Sequence, residues 1–328
     1  MAKAKKSDKV SVSDLRSKYG RPDTEFRSSG VFVLDDLWGG GLPSGKMIEI
    51  HSDPGYGKTT LCLQIAKHQI GNGFPVAFMD VEQALDPALK KSVGVDKFET
   101  QLIEGVPAFL HVSPSYFSEV EETTLALIEE GYKLIIYDSL TMTVLDSRVQ
   151  GSITDGQLGQ HARLQGEFLN RFKVEVARAG ASMILLNQMR ANMDFFSKAP
   201  SKPAGGYALQ FAADIRTSLL RKRWIEDKGE RVGAELEITT IKNKITTPFR
   251  RSKVMLYFGH GVNNTATLAD LMVERGIVTR SGAYYSVPNN ETKIQGLNAL
   301  MDWVRSNREF CMASLSDKIA VDDGNPQV

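Results

Sequence analysis

The stretch Met47–Thr60, reading MIEIHSDPGYGKTT, constrains this chain more than any other. Four residues of alternating strand pattern run into a glycine-containing turn that ends in Gly57-Lys58-Thr59. A helical pattern then follows with Leu61, Leu63, Ile65, Ala66 and Ile70. A strand that turns through glycine into a helix offers an anion both backbone N–H groups and the positive end of the helix dipole. The turn of Ser52, Asp53, Pro54, Gly55, Tyr56, Gly57, Lys58, Thr59 and Thr60 therefore reads as a triphosphate-binding loop. Lys58 would reach the β/γ-phosphates and the Thr59 hydroxyl would complete a Mg²⁺ shell. Ser52 stands where the strict pattern has glycine, a residue that usually relieves a backbone constraint there. The plainer alternative is a turn that merely joins strand to helix.

Four segments repeat the strand part of that unit: Met47–Ile50, Val76–Asp80, Leu134–Tyr137 and Met183–Leu186. Each is short, apolar on both faces and followed by polar residues, the pattern of a buried parallel strand. Helical periodicity fills the gaps, most clearly over Leu158–Ala179, where Leu158, Ala162, Phe168, Leu169, Phe172 and Val176 share one face. This alternation predicts an α/β fold, a mostly parallel sheet flanked by helices, with chemistry collected at the carboxyl ends of its strands. Ala234–Lys242 and Lys253–Phe258 alternate instead like strands of an antiparallel edge. After Gly259-His260-Gly261, helices over Leu268–Arg275 and Ile294–Arg305 and the pair Tyr284-Tyr285 mark a small α+β C-terminal domain. A chain of 328 residues accommodates one large core and such a satellite. The expected divisions are an N-terminal arm over 1–30, a core over 31–260, the small domain over 261–316 and a frayed tail over 317–328. The arm is polar, with one short helical candidate near Ser13–Tyr19. It is either a disordered segment or one that docks on a partner.

Lys and Arg total 40 against 39 Asp and Glu, a net charge of +1, so any basic surface must come from local arrangement. Cys62 and Cys311 are far apart and in no metal-like spacing, which predicts a buried thiol at Cys62 and a reducing compartment. The polar, basic start MAKAKKSDK is no secretory signal, and no apolar run approaches membrane-spanning length. These features point to a cytoplasmic protein with no membrane partner.

Further chemistry falls where the sheet places strand ends. Asp138 follows Leu-Ile-Ile-Tyr, the setting in which a carboxylate holds Mg²⁺ through its water shell. A capping Asp in a β-to-α turn is the alternative. Glu82 stands two residues beyond Asp80, placed to orient or deprotonate an attacking water. Gln188 ends the fourth strand and is able to hydrogen-bond a terminal phosphate oxygen without adding charge. Next comes an unusual loop, Met189–Ala204, closed by Gly205-Gly206, that mixes Arg190, Lys198 and Lys202 with Met193, Phe195 and Phe196. Cations beside apolar side chains suit an unpaired nucleic-acid strand, with charge on phosphate and apolar groups against bases. A mobile lid is the competing reading of a loop this long. A second loop, Ser147–Asp155, carries Arg148 on the same sheet edge.

From about Ser28 to Arg305 the chain resembles the RecA family of DNA recombinases. The matching stretches are GGGLPSGKMIEI before the phosphate loop, AFMDVEQALDP around Glu82, IIYDS at Asp138 and LLNQMR at Gln188. IKNKITTPF, which contains Lys242–Phe249, and SGAYYS in the C-terminal domain complete the set. The resemblance implies a P-loop NTPase core of RecA type in which Glu82 is the catalytic glutamate, Lys58 assists, and Gln188 senses the γ-phosphate. It extends the nucleotide-contacting set to Asp86 and Phe258, and implies that Lys242 and Lys244 reach a neighbouring protomer's site beside the interface aromatic Phe211. Arg163, Arg190 and Arg216 match basic residues of the DNA-facing region. The C-terminal domain would help capture duplex DNA, and the arm would dock on the adjacent subunit. The chain departs from the family at Ser52, at Leu89 where a tyrosine commonly faces the adenine, and at Gln210 where an interface lysine stands. Its tail carries only Asp317, Asp322 and Asp323 in place of a long acidic run.

The resulting expectation is an ATP- and Mg²⁺-dependent recombinase that forms a helical homo-oligomer on single-stranded DNA, pairs it with double-stranded DNA and exchanges strands. Two rivals share the phosphate loop: a ring-forming helicase or motor, and a non-catalytic protein that coats single strands.

Overall fold

The computed structural model describes residues 23–139, 143, 156–191, 201–203, 206–290 and 292–322. The helical candidate near Ser13–Tyr19 and the site candidates Arg148, Met193, Phe195, Phe196, Lys198 and Gly205 lie outside the described residues.

The chain runs β1 (Phe26–Arg27), α1 (Phe32–Trp38), β2 (Leu42–Pro43), β3 (Lys46–Ser52), α2 (Lys58–Gly71), β4 (Val76–Asp80) and α3 (Pro87–Val93). Next come β5 (Leu102–Ile103), β6 (Val106–Pro107), β7 (Phe109–Val112), α4 (Phe117–Glu129), β8 (Leu134–Asp138), α5 (Gly156–Ala179), β9 (Ser182–Ala191), β10 (Ser201–Pro203) and α6 (Gly206–Ala212). A long hairpin, β11 (Ile215–Asp227) and β12 (Glu230–Asn243), leads to β13 (Arg251–Tyr257) and β14 (Gly261–Val262). The C-terminal segment holds α7 (Asn264–Glu274), β15 (Thr279–Ser281), β16 (Tyr284–Ser286), β17 (Ile294–Gln295), α8 (Leu297–Ser306) and α9 (Arg308–Asp322).

The large sheet has the order β14-β13-β12-β11-β3-β9-β8-β4-β7, with β10 paired to β9 off that path. From β11 to β7 the pairing is parallel, while β11 to β14 is an antiparallel extension. The central strands are apolar on both sides because helices cover both faces. Alternation with period two divides them between two cores. Ile48, Ile50, Phe78, Ile136 and Ile184 pack with Leu34 and Trp38 of α1 and Leu61 and Leu63 of α2. Met47, Met79, Ile135, Tyr137 and Leu185 pack with Phe168, Leu169, Phe172 and Val176 of α5. The Trp38 indole N–H donates to Thr217 Oγ1 at 3.0 Å and anchors α1 on β11. Among the described residues no helix is long and apolar enough to cross a membrane.

The structure departs from the sequence reading in four places. β11 carries Arg221, Lys222 and Arg223 where it leaves the core, so its strand periodicity is masked by charge. Its turn has positive φ at Lys228 (49°) and Gly229 (86°), the backbone that a two-residue hairpin loop demands. The expected helix over Ile294–Arg305 is split: Ile294 pairs with Tyr285 as a strand, and Gly296 at φ 87° separates it from α8. The loop after Gln188 is not structureless throughout, since β9 continues to Ala191 and pairs with β10. Finally α9 extends to Asp322, so 317–322 of the expected tail is helical.

Candidate nucleotide site and the strand ends around it

β3 delivers the phosphate loop at the centre of the sheet. Gly55 and Gly57 adopt φ of 75° and 79°. The left-handed backbone favours glycine at Gly57, and a Cβ there would lie 2.8 Å from Leu256 Cδ1, so that side chain would have to shift. Ser52 makes no such demand: it ends β3 and is not among the residues of positive φ. Its hydroxyl instead accepts from Lys58 Nζ at 3.0 Å, alongside the carbonyls of Ser52 at 3.1 Å and Asp53 at 3.2 Å. Lys58 is thus folded back on its own loop. Burial holds its pKa below the usual lysine value, against the pull of Asp138 and Glu82. Tyr56 packs its ring 4.5 Å from the Arg221 guanidinium, which itself lies 3.9 Å from the Trp224 ring. A cleft of about 260 Å³ opens beside the loop against Leu236, Leu256 and Phe258.

The other strand ends converge on this loop. Parallel register places Ser52 opposite Gln188 and Asp80 opposite Asp138. Thr59 Oγ1 donates to Asp138 Oδ2 at 2.9 Å, a hydroxyl–carboxylate pair of hard oxygens that fits Mg²⁺. Burial, then the nearby Glu82, pushes the Asp138 carboxyl up to about 6. Glu82 Oε1 accepts from Gln188 Nε2 at 2.5 Å and from Ser139 Oγ at 2.7 Å. The turn carrying Glu82 is held from below by Asp80, whose carboxylate accepts from Ala84 N at 3.1 Å and Leu85 N at 2.9 Å. Lys58, Thr59, Glu82, Asp138 and Gln188, far apart in sequence, meet at one sheet edge.

The family model described as the RecA N-terminal domain matches residues 2–263. This chain belongs to the RecA family. It is 30% identical over 318 residues to the Protein RecA of Ruegeria pomeroyi, covering 96% of this chain and 88% of that protein. Against the Protein RecA of Acinetobacter baylyi it is 31% identical over 310 residues, covering 90% and 86%. Matches of this breadth make it a RecA-type recombinase that binds nucleotide.

The remaining positions matched to the RecA family fall into three groups. Asp86 caps α3 by accepting from Ala88 N at 2.6 Å, Leu89 packs half-buried against the core, and Phe258 is half exposed. Lys242 Nζ donates to the carbonyls of Gln210 at 2.6 Å and Phe211 at 3.1 Å, while Phe211 itself is exposed. Lys244 Nζ lies 3.7 Å from Asp214 Oδ1, which also accepts from Lys173 Nζ at 3.1 Å. Burial, then Lys244 and Lys173, lowers Lys242 to about 8. Sequence reasoning missed Lys173 and Asp214, because only the folded crossing of α5 and β11 brings them to the lysine pair. Of the DNA-facing candidates, Arg163 is exposed on α5 and bonded to Glu167 at 2.9 Å. Arg190 and Lys202 sit opposite each other in the β9–β10 register, and Gly206 opens α6.

Arg216 requires correction. Its side chain is buried and ion-paired with Glu49 inside the sheet, so it presents no cation to a DNA strand.

Proposed function

We propose that this chain is an ATPase that polymerises on single-stranded DNA and uses the bound triphosphate to set its grip on that strand. Homologous pairing with duplex DNA and strand exchange follow from that grip. The observation that carries the reading is the 2.5 Å hydrogen bond from Gln188 Nε2 to Glu82 Oε1. The side chain at the mouth of the β9–β10 arm is thereby bonded to the candidate water-activating carboxylate.

ATP competes for the internal partners of this edge. Lys58 exchanges Ser52 Oγ and two carbonyls for β/γ-phosphate oxygens. The main chain of residues 52–60 wraps the phosphates, and Asp86 and Phe258 border the base. Thr59 and Asp138 would hold Mg²⁺, which would supply neutralisation of phosphate charge. Gln188 turns from Glu82 to a γ-phosphate oxygen, and Glu82, released, is free to take a proton from the attacking water. Because β9 runs without a break from Gln188 to Ala191, this exchange biases the arm between two states. Loss of the γ-phosphate after hydrolysis reverses the bias and loosens the strand.

A neighbouring subunit completes the site with Lys242 and Lys244, its Phe211 packing alongside. DNA contacts fall to Arg163, Arg190, Lys202 and Gly206, together with Arg148, Met193, Phe195, Phe196, Lys198 and Gly205. Residues 1–30 dock on the adjacent subunit, and residues 261–316 receive duplex DNA.

Gln188→Ala is expected to bind ATP within about threefold of the parent while losing about tenfold or more of the ATP-stimulated affinity for single-stranded DNA. Fluorescence anisotropy with labelled oligonucleotide reads both terms. Stimulation equal to the parent's would sink the coupling. Electron microscopy with ATP and single-stranded DNA separates helical filaments, expected here, from the closed rings of a motor.

A further inference from the structure

Beneath the nucleotide edge lies a buried polar cluster that the proposed mechanism does not yet use. Glu49 of β3 has no exposed surface, although it is a carboxylate in the middle of a sheet. Arg216 of β11 is its direct register partner and donates through Nε to Glu49 Oε2. On the other flank Asn187 Nδ2 of β9 donates to Glu49 Oε1 at 2.8 Å. Asn187 Oδ1 in turn accepts from the backbone N–H of Gln188 at 2.9 Å. His51 Nδ1 approaches the same carboxylate at 3.7 Å, and burial keeps that imidazole below its ordinary pKa, against the pull of Glu49. Three adjacent strands, β11, β3 and β9, are therefore tied through one carboxylate, from the start of β11 to the middle of β9.

Burying an ion pair seldom adds net stability, because desolvation offsets the attraction. Its best-attested use is to hold one register against alternatives. The register held here is that of Gln188. We infer that Glu49, fixed by Arg216, acts through Asn187 as a positioning residue that holds Gln188 where it can choose between Glu82 and a γ-phosphate oxygen. The inference rests on the proposed sensor role of Gln188. It also gives Arg216 a role after its removal from the DNA-facing set. β11 enters the sheet directly after α6 and Asp214, whose carboxylate holds Lys173 and Lys244. A shift of α6 at a subunit contact would thus be felt at Gln188 through three hydrogen-bonded side chains, Arg216, Glu49 and Asn187.

Two variants cut the tie in different ways. Glu49→Leu combined with Arg216→Met replaces the buried pair by apolar groups of similar size, a change that commonly preserves folding. Asn187→Ala deletes the bridge and leaves the ion pair in place. Each is expected to lower ATP-stimulated single-strand affinity about fivefold or more, with ATP affinity held within about twofold. A merely structural role would lower both together. Added to Gln188→Ala, neither change should lower stimulation further, since both act through that side chain. Stimulation retained in either variant, or losses that multiply with Gln188→Ala, would overturn the positioning role and leave the sensor reading intact. Full stimulation in Gln188→Ala alone would instead overturn the sensor reading and this inference with it.

Discussion

The two halves of the candidate nucleotide site are built on opposite electrostatic terms. On the half formed by β3, β4, β8 and β9, each reactive side chain already has an internal partner: Lys58 on Ser52, Thr59 on Asp138, Gln188 on Glu82. On the half formed by α5, α6 and β12, Lys173, Lys242 and Lys244 cluster around a single carboxylate, Asp214. The first half is self-satisfied, so ATP binding there is an exchange of hydrogen bonds. Among the described residues, the second sets three lysines around that one carboxylate. It is suited to receive an anion from outside, and the triphosphate of a neighbour is the anion that the filament reading supplies. On the proposed reading, one half senses and the other joins.

The sharpest way to break this division is to remove chemistry from the first half without touching the second. Glu82→Gln keeps an acceptor for Gln188 and Ser139 but cannot take a proton. Turnover of ATP in the presence of single-stranded DNA is expected to fall about a thousandfold, while ATP-dependent filaments persist in electron micrographs. Filaments lost together with turnover would show that the halves are not separable. The converse variant, Lys242→Ala with Lys244→Ala, should leave ATP binding by the isolated subunit within about twofold and weaken ATP-dependent assembly about a hundredfold. Sedimentation of the variant at rising protein concentration checks it. Assembly equal to the parent's would remove the lysine pair from the joining surface.

The self-satisfied half was the more legible in sequence, and the reason is physical. A phosphate loop is a local object: strand, positive-φ glycines and helix N-terminus are consecutive, so spacing alone displays it. Buried parallel strands such as Val76–Asp80 are equally readable, because burial on both faces demands an unbroken apolar run. The joining half depends on partners far apart in the chain. Lys173 and Asp214 are separated by 41 positions, and nothing in either neighbourhood predicts their pairing. Arg216 was placed with the DNA-facing residues by its match to the RecA family, and no local feature displays its buried carboxylate partner, 167 positions away. β11 was hidden because its exposed end carries charge, while its register with β12 is set by a turn rather than by apolar alternation.

Within the first half, the exchange model makes a prediction about cost. Burial and Glu82 raise the Asp138 carboxyl to about 6, so its charge is disfavoured in the nucleotide-free fold. Between about pH 4 and 6 the folded protein binds a proton that the unfolded chain has released, and stability falls as pH rises through that window. Asp138→Asn should therefore stabilise the nucleotide-free protein at pH 7 by on the order of 2 kcal/mol, a rise of a few degrees in melting temperature. The order should reverse when Mg²⁺ and ATP are added, since a charged carboxylate would hold the metal more strongly than a neutral amide. A melting temperature lowered in both conditions would mean that the carboxylate is structural.

The smallest expected effect tests the second half through protons. Burial, then Lys244 and Lys173, lowers Lys242 to about 8. A lysine depressed in this way loses its proton in the folded subunit at a pH where the unfolded chain keeps it. Stability of the isolated subunit therefore rises with pH from about 8 to 10.5, as the mutual repulsion is relieved. An arriving phosphate favours the charged form and restores the proton. Assembly with ATP near pH 8.5 should then take up a fraction of a proton per interface, and it should weaken as pH rises further. Calorimetry of assembly in two buffers of different ionisation enthalpy measures the uptake. Lys242→Arg, charged throughout this range, should abolish it. Equal heats in both buffers for the parent protein would place Lys242 away from the incoming charge and return the joining role to Lys244 and Phe211.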